Sequence, residues 1–148
     1  MYGNGIGAYQ QAGVLTADPK SLVLMCYEEA IMNLKIAKAK YITRDYEEKA
    51  QALIKAQDFI CVLNSSLDFE KGGEVASNLR ALYNYMMHRL TEADLKRDLR
   101  AIDHIISMLV ELKTAWEEIL NGKHKDINPR LHHITDREKE TNRREMRA

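Results

Sequence analysis

The sequence predicts an all-α fold: an antiparallel four-helix bundle with a short N-terminal helical segment and a polar C-terminal tail. Three observations carry this. Apolar residues recur at i, i+3, i+4 and i+7 through four long stretches, the spacing of one helical face. No proline interrupts Lys20 to Ile127, and a proline inside a helix removes a hydrogen bond and clashes with the preceding turn. Only a few turn residues separate the stretches, which makes consecutive helices antiparallel. A chain of 148 residues that is 45% hydrophobic can bury one core, and 30% charged residues keep its surface soluble.

Residues 1–17 read as a separate N-terminal segment. Gly3, Gly5, Gly7 and Gly13 disfavour an independent helix. Tyr2, Ile6 and Tyr9 nevertheless share one helical face, so a weakly held helix and a disordered tail both fit.

The bundle spans residues 18–122. Asp18 is placed to cap the first long helix and Pro19 suits its first position. Leu22, Cys26, Ala30, Leu34, Ala37 and Tyr41 form one stripe, with Val23, Tyr27 and Ile31 beside it. The start, Leu22 to Tyr27, is apolar all round and is expected to be the most buried part. Thr43-Arg44-Asp45 turns the chain, and Asp45 with Glu48 reads as a capping box for helix two. That helix carries Leu53, Ile60 and Leu67. Asp68 to Gly73 breaks the period, with Gly72-Gly73 as a hinge or turn and Glu74 favouring the next start. Helix three carries Val75, Leu79, Leu82, Tyr83, Met86 and Leu90 and ends near Ala93 or Asp94. Asp98 is the preferred cap of helix four, with Thr91 and Asp94 as a competing start. Helix four carries Leu99, Ile102, Ile105, Ile106, Leu109, Leu112, Trp116 and Ile119, and Asn121-Gly122 stops it.

The tail, residues 123–148, has no apolar stripe and reads as disordered or partly helical. It holds 8 basic and 5 acidic residues, against 14 and 17 in residues 1–120. The acids interleave with Arg143, Arg144 and Arg147 and blunt any attraction to nucleic acid or membrane.

Catalytic and metal-binding patterns are missing. No Glu-x-x-His motif marks a di-metal bundle. His88 and His104 lack a partner at i±4, and His124, His132 and His133 fall in the tail. There is no phosphate loop and no nucleophile elbow. The expectation is therefore no enzyme, no cofactor and no metal. Cys26 and Cys61 read as free buried thiols, which suits a reducing cytoplasm. No stretch is apolar enough to span a bilayer, and the N-terminus lacks a signal-peptide pattern, so the chain is expected to stay in the cytosol.

Helix three has an unusually wide apolar surface, with Leu79, Leu82 and Met86 on one line and Tyr83, Tyr85 and Met87 around it. Met and Tyr suit a surface that receives another chain. A helix packed on two sides has the same look, and periodicity alone does not choose.

Several short runs, taken in order, resemble one family. They are Thr16-Ala17-Asp18-Pro19, then Leu22 through Ile31, Lys55-Ala56-Gln57, Ser66 through Ala76, Asn78-Leu79, Leu82-Tyr83, Glu92-Ala93-Asp94 and Leu112 through Trp116. Together, over about residues 2–120, they closely resemble the flagellin-specific export chaperones, the FliS family. Asp18 departs from the family's more frequent Ser, and Cys26 from its common Leu, while keeping the roles of cap and core. The tail lies outside the resemblance.

The resemblance implies a bacterial cytosolic four-helix bundle that binds the disordered C-terminal segment of flagellin. It would prevent premature polymerisation and help deliver flagellin to the flagellar type III export gate. It also implies that the N-terminal segment, with Tyr2, Ile6 and Tyr9, covers part of the binding surface. Pattern and resemblance together place the groove on helices two and three, at Ile54, Gln57, Ile60, Leu79, Tyr83 and Met86. Asp68, Gly72 and Asn78 are assigned to the helix two–three connection. Two other readings stay open: a helical scaffold for another flagellar export component, and a nucleic-acid or membrane module acting through the tail.

Overall fold

The computed structural model describes residues 19–122. They form α1 (Pro19–Thr43), α2 (Tyr46–Ser65), α3 (Phe69–Lys96) and α4 (Leu99–Leu120). The N-terminal stripe of Tyr2, Ile6 and Tyr9, the Asp18 cap and the tail 123–148 lie outside the described residues. α1 packs on α2 and α4, and α3 packs on the same two helices. The four helices therefore make a ring in chain order around one core, the antiparallel bundle expected from the short links.

The core follows the helical stripes. α1 gives Cys26, Tyr27, Ala30, Leu34 and Ala37, each at most 1% exposed. α2 gives Leu53, Ala56, Phe59, Ile60 and Leu63, while α3 gives Leu79, Tyr83, Met86 and Leu90. α4 adds Ile102, Ile105, Leu109 and Leu112. Each large buried side chain contributes about 1.5–3 kcal/mol relative to exposure. Exposed ion pairs such as Lys40–Glu48 contribute ~0–1 kcal/mol, so the apolar stripes hold the bundle together. Leu22, Val23 and Leu24 are only half-buried. Met25, Cys26 and Tyr27 are buried as expected, and only the first half of the stretch is not. That half sits at the end of the bundle, where fewer helices surround it.

Three helix ends differ from the sequence reading. Asp45 makes no capping bond to α2. Its carboxylate accepts from Thr43 Oγ1 at 2.7 Å, and Glu48 pairs with Lys40 at 2.6 Å. The two-residue link brings the end of α1 against these acids, and Lys40 and Thr43 outcompete the cap. α3 begins at Phe69, five residues before Glu74, because Asp68 accepts from the N–H groups of Glu70 and Lys71 at 3.1 Å each. Gly73, at φ 50°, ψ −123°, is the hinge read from the sequence: it divides α3 into a first turn after Asp68 and the long segment from Glu74. α3 then continues to Lys96, where Arg97 adopts the left-handed conformation and closes it. Thr91 bonds back to the Met87 carbonyl inside α3, so it starts no helix. Asp98 caps α4 as expected, accepting from the Ala101 N–H at 3.2 Å.

Gly73→Ala is expected to destabilise the bundle by about 1–3 kcal/mol. No atom lies within 4 Å of the position its Cβ would take, so the penalty is backbone strain alone. A lower Tm with unchanged helical content at low temperature would bear this out. An unchanged Tm would mean that the kink is not needed.

At the opposite end of the bundle Asp94 accepts from Lys49 Nζ at 2.7 Å and from the Tyr41 hydroxyl. Burial pushes the Asp94 carboxyl up, but these two donors outweigh it and hold it below the usual range. The Ala101 N–H, opposed by partial burial and helped by Arg89, holds Asp98 down as well. A carboxylate depressed in the folded state stabilises above its unfolded pKa of about 3.9 and loses that contribution as pH falls through the folded value. The urea midpoint is thus expected to fall on acidification below about pH 4, and Asp94→Asn to flatten that fall. An identical acid limb in the variant would remove Asp94 from the cause.

Candidate partner-binding surface

The six groove residues read from the sequence divide by burial. Ile60, Leu79, Tyr83 and Met86 are between 0 and 2% exposed and belong to the core. Ile54 is 57% exposed and Gln57 half-buried. Leu79 and Tyr83 also form the inner wall of an open apolar cleft of about 300 Å³.

This cleft lies where four helix segments meet. Val23 comes from the start of α1, Leu63 from the end of α2, Leu67 from the link after it, Val75 from the kinked start of α3, and Trp116 from the end of α4. Asp68 and Lys71 bring the charges to its lining, and the Asp68 carboxylate is already engaged as the cap of α3. The helix-terminal apolar residues have no further turn to pack against, which leaves the concavity. Val75 remains 43% exposed on its wall. Gly72 fits tightly there, since a Cβ would meet the Ala76 Cβ at 2.9 Å.

Behind the wall sits a buried polar cluster. Trp116 Nε1–H donates to the Tyr27 hydroxyl at 3.1 Å, and the Tyr27 and Tyr83 hydroxyls share a hydrogen bond. Burial first, then the neighbouring phenol, pushes Tyr27 well above the usual tyrosine range. Burial likewise pushes Tyr83 up to about 12. Both phenols therefore stay protonated at any physiological pH.

The neighbouring α2–α3 seam carries uncharged polar and sulfur groups. Gln57 donates to Thr91 Oγ1 at 3.3 Å, Cys61 Sγ lies 3.1 Å from Met87 Sδ, and Asn64 donates to Asn84 at 3.0 Å. The Asn64 Oδ1 and the Asn78 Nδ2 are buried without a hydrogen-bond partner among the described residues. A second cleft of about 340 Å³ lies between α1 and α4, with Ile31, Met32 and Val110 flanked by Glu28, Lys35 and Lys113. Its rim is an ion-paired one, Lys113 standing 3.7 Å from Glu28 and 3.5 Å from Glu117.

The sequence reading placed Trp116, Val23, Leu67 and Val75 on apolar stripes but not in a site. The one local signal was apolar residues at helix ends flanking the Gly72-Gly73 pair. Among the described residues no cluster of His, Cys, Asp or Glu is arranged to hold a metal, and no helix is long and apolar enough to cross a membrane. Cys26 and Cys61 are both free. Burial, then the Glu29 charge, pushes Cys26 up to about 11, which leaves little reactive thiolate.

A family model described as "Flagellar protein FliS" matches residues 2–123. The flagellar secretion chaperone FliS of Salmonella typhimurium is 38% identical over 121 residues, covering 78% of this chain and 90% of the relative. The protein of the same name from Bacillus subtilis is 32% identical over 123 residues, covering 83% and 91%. That of Vibrio cholerae is 34% identical over 119 residues, covering 80% and 82%. This chain, matched by the family model over the whole of its described residues, belongs to the FliS family of flagellar secretion chaperones.

Proposed function

We propose that this chain is a cytosolic, non-enzymatic secretion chaperone that binds the disordered C-terminal segment of flagellin. It covers that segment against premature polymerisation and assists its transfer to the flagellar export gate. The observation that carries the proposal is the apolar end cleft where the helix ends meet, beside the uncharged polar pairs of the α2–α3 seam. An amphipathic segment that folds on binding can lay its apolar face along such a surface. The ordering entropy it loses keeps the complex dissociable for export.

Within this reading the six groove residues take different parts. Gln57 and Ile54 meet the partner at the surface, and Leu79 and Tyr83 form the inner wall of the cleft. Ile60 and Met86 support them from the core. The N-terminal stripe of Tyr2, Ile6 and Tyr9 occupies the cleft when flagellin is absent. Support comes from Val23, which lines the cleft one turn after α1 begins at Pro19.

Co-purification with flagellin, with and without its C-terminal ~40 residues, a length suited to a segment that folds on binding, tests the partner. Full-length flagellin should be retained and the truncated one lost. Equal retention would overturn the reading. Deleting residues 1–10 should raise the fluorescence of an apolar dye without loss of helicity, and unchanged dye and flagellin binding would remove the N-terminal cover.

A further inference from the structure

The second cleft, on the flank of the bundle between α1 and α4, leaves apolar side chains open to water. Met32 and Val110 line it at 54% and 44% exposed, beside the buried Ile31. Ile36, also exposed, extends the strip one turn along α1. So small a cluster is too little for a separate protein, since a stable interface takes about 800 Å² from each partner. A tethered segment needs far less, because tethering presents it at an effective concentration on the order of millimolar.

The start of the tail is such a segment, and it leaves from the right place. α4 ends at Leu120, and Gly122, at φ 78°, turns the chain out of the helix. Val110 lies ten residues before Leu120, ~15 Å back along α4. Twelve residues separate Gly122 from Ile134, up to ~40 Å of extended chain. The segment can therefore double back over the end of α4 and reach the cleft.

Its residues suit that course. The tail as a whole has no apolar stripe, but Leu131 and Ile134 stand three apart, the spacing of one helical face. Asn128 and Pro129 before them are the pair that starts a helix, a capping side chain and then a residue fixed for the first helical position. Charge sets the direction. Lys123, Lys125 and Arg130 come first, against the single acid Asp126, and the last turns of α4 hold Glu117 and Glu118. Glu138 follows Ile134 by one turn on the same face. On the side of the cleft away from the end of α4, Lys35 is exposed and has no ion partner among the described residues. Lys113, by contrast, is held between Glu28 and Glu117.

We propose that residues 127–138 of the tail fold onto the α1–α4 cleft as a short helix antiparallel to α4. Leu131 and Ile134 cover Met32 and Val110, and Glu138 meets Lys35. The family match stops at residue 123, so this cover is built from residues outside the matched bundle, and it is independent of what fills the end cleft.

The test is hydrogen exchange of residues 130–138, read by mass spectrometry in the full chain. The chains compared are the wild type, Val110→Glu, Leu131→Glu and Val75→Glu, with a synthetic peptide of residues 123–148 as the undocked reference. Exchange in the wild type should be about tenfold slower than in the peptide, or slower still, as a docked majority of about ten to one requires. Val110→Glu and Leu131→Glu should both return it to the peptide rate. Val75→Glu, which alters the end cleft, should leave the protection in place. Peptide-like exchange in the wild type overturns the proposal, as does protection that survives in Val110→Glu or in Leu131→Glu. Loss of protection in Val75→Glu overturns it too, because the tail would then lie in the end cleft. Protection that fades on dilution also overturns it, because the cleft would then belong to a second copy. Leu131→Glu changes nothing within the bundle, so it decides the matter should Val110→Glu not fold.

Discussion

Met86→Glu is expected to leave no cooperatively folded bundle at room temperature, whereas Ile54→Glu should melt within a few degrees of the parent. Both positions are groove residues by the sequence reading, and both substitutions introduce the same carboxylate. Met86 is 0% exposed, in the core face of α3. Removing its side chain forfeits about 2–5 kcal/mol of packing, and burying an unpaired carboxylate costs several kcal/mol more. Their sum reaches the whole stability of a typical domain, about 5–15 kcal/mol. Ile54 is 57% exposed on α2, and a surface change away from special features is usually within about 0.5 kcal/mol. Circular-dichroism melts of the two variants decide the matter. A cooperative, near-parental melt for Met86→Glu would mean that α3 does not pack against the core as described.

Helix number, order and most core residues were legible because they depend on local periodicity. The groove was not, for a geometric reason. In a ring of four helices each member touches two neighbours, so its apolar face is wider than one stripe. Leu82 and Tyr83 are adjacent in sequence, yet both are buried. The width of α3 that suggested a groove is thus largely its contact with α2 and α4. The cleft depends instead on where helices stop. The Gly72-Gly73 hinge was legible, but the single turn that Asp68 caps ahead of it was not. The polar cluster lay further out of reach. Tyr27 meets a residue 56 positions away and another 89 positions away, and no helical period relates them. Cap chemistry was half legible. Asp98 stands alone before α4 and caps it, but Asp45 has Thr43 and Lys40 as competing partners across a two-residue link.

Val75→Glu is expected to weaken binding of a flagellin C-terminal peptide by about a hundredfold or more while leaving the fold intact. Val75 is 43% exposed on the cleft wall, so in the free protein the new carboxylate stays hydrated. Glu also has the better helix propensity, and the Tm should hold or rise slightly. The cost appears only when the cleft is filled. The peptide then strips water from a charge among Leu67, Leu79 and Trp116, with Asp68 repelling it and only Lys71 of the lining to offset it; that desolvation amounts to several kcal/mol, each 1.4 of which is a factor of about ten in affinity. Val75→Ala removes two methyls and adds no charge, so its loss should be far smaller. Val110→Glu is the matched control. Val110 is 44% exposed, also on a helix, and lines the second cleft, between α1 and α4. If Val75→Glu binds normally and Val110→Glu does not, the partner sits between α1 and α4. If only Val75→Glu fails, the end cleft is the seat, and the kink at Gly73 that shapes its wall becomes part of the binding surface rather than an accident of the α2–α3 connection.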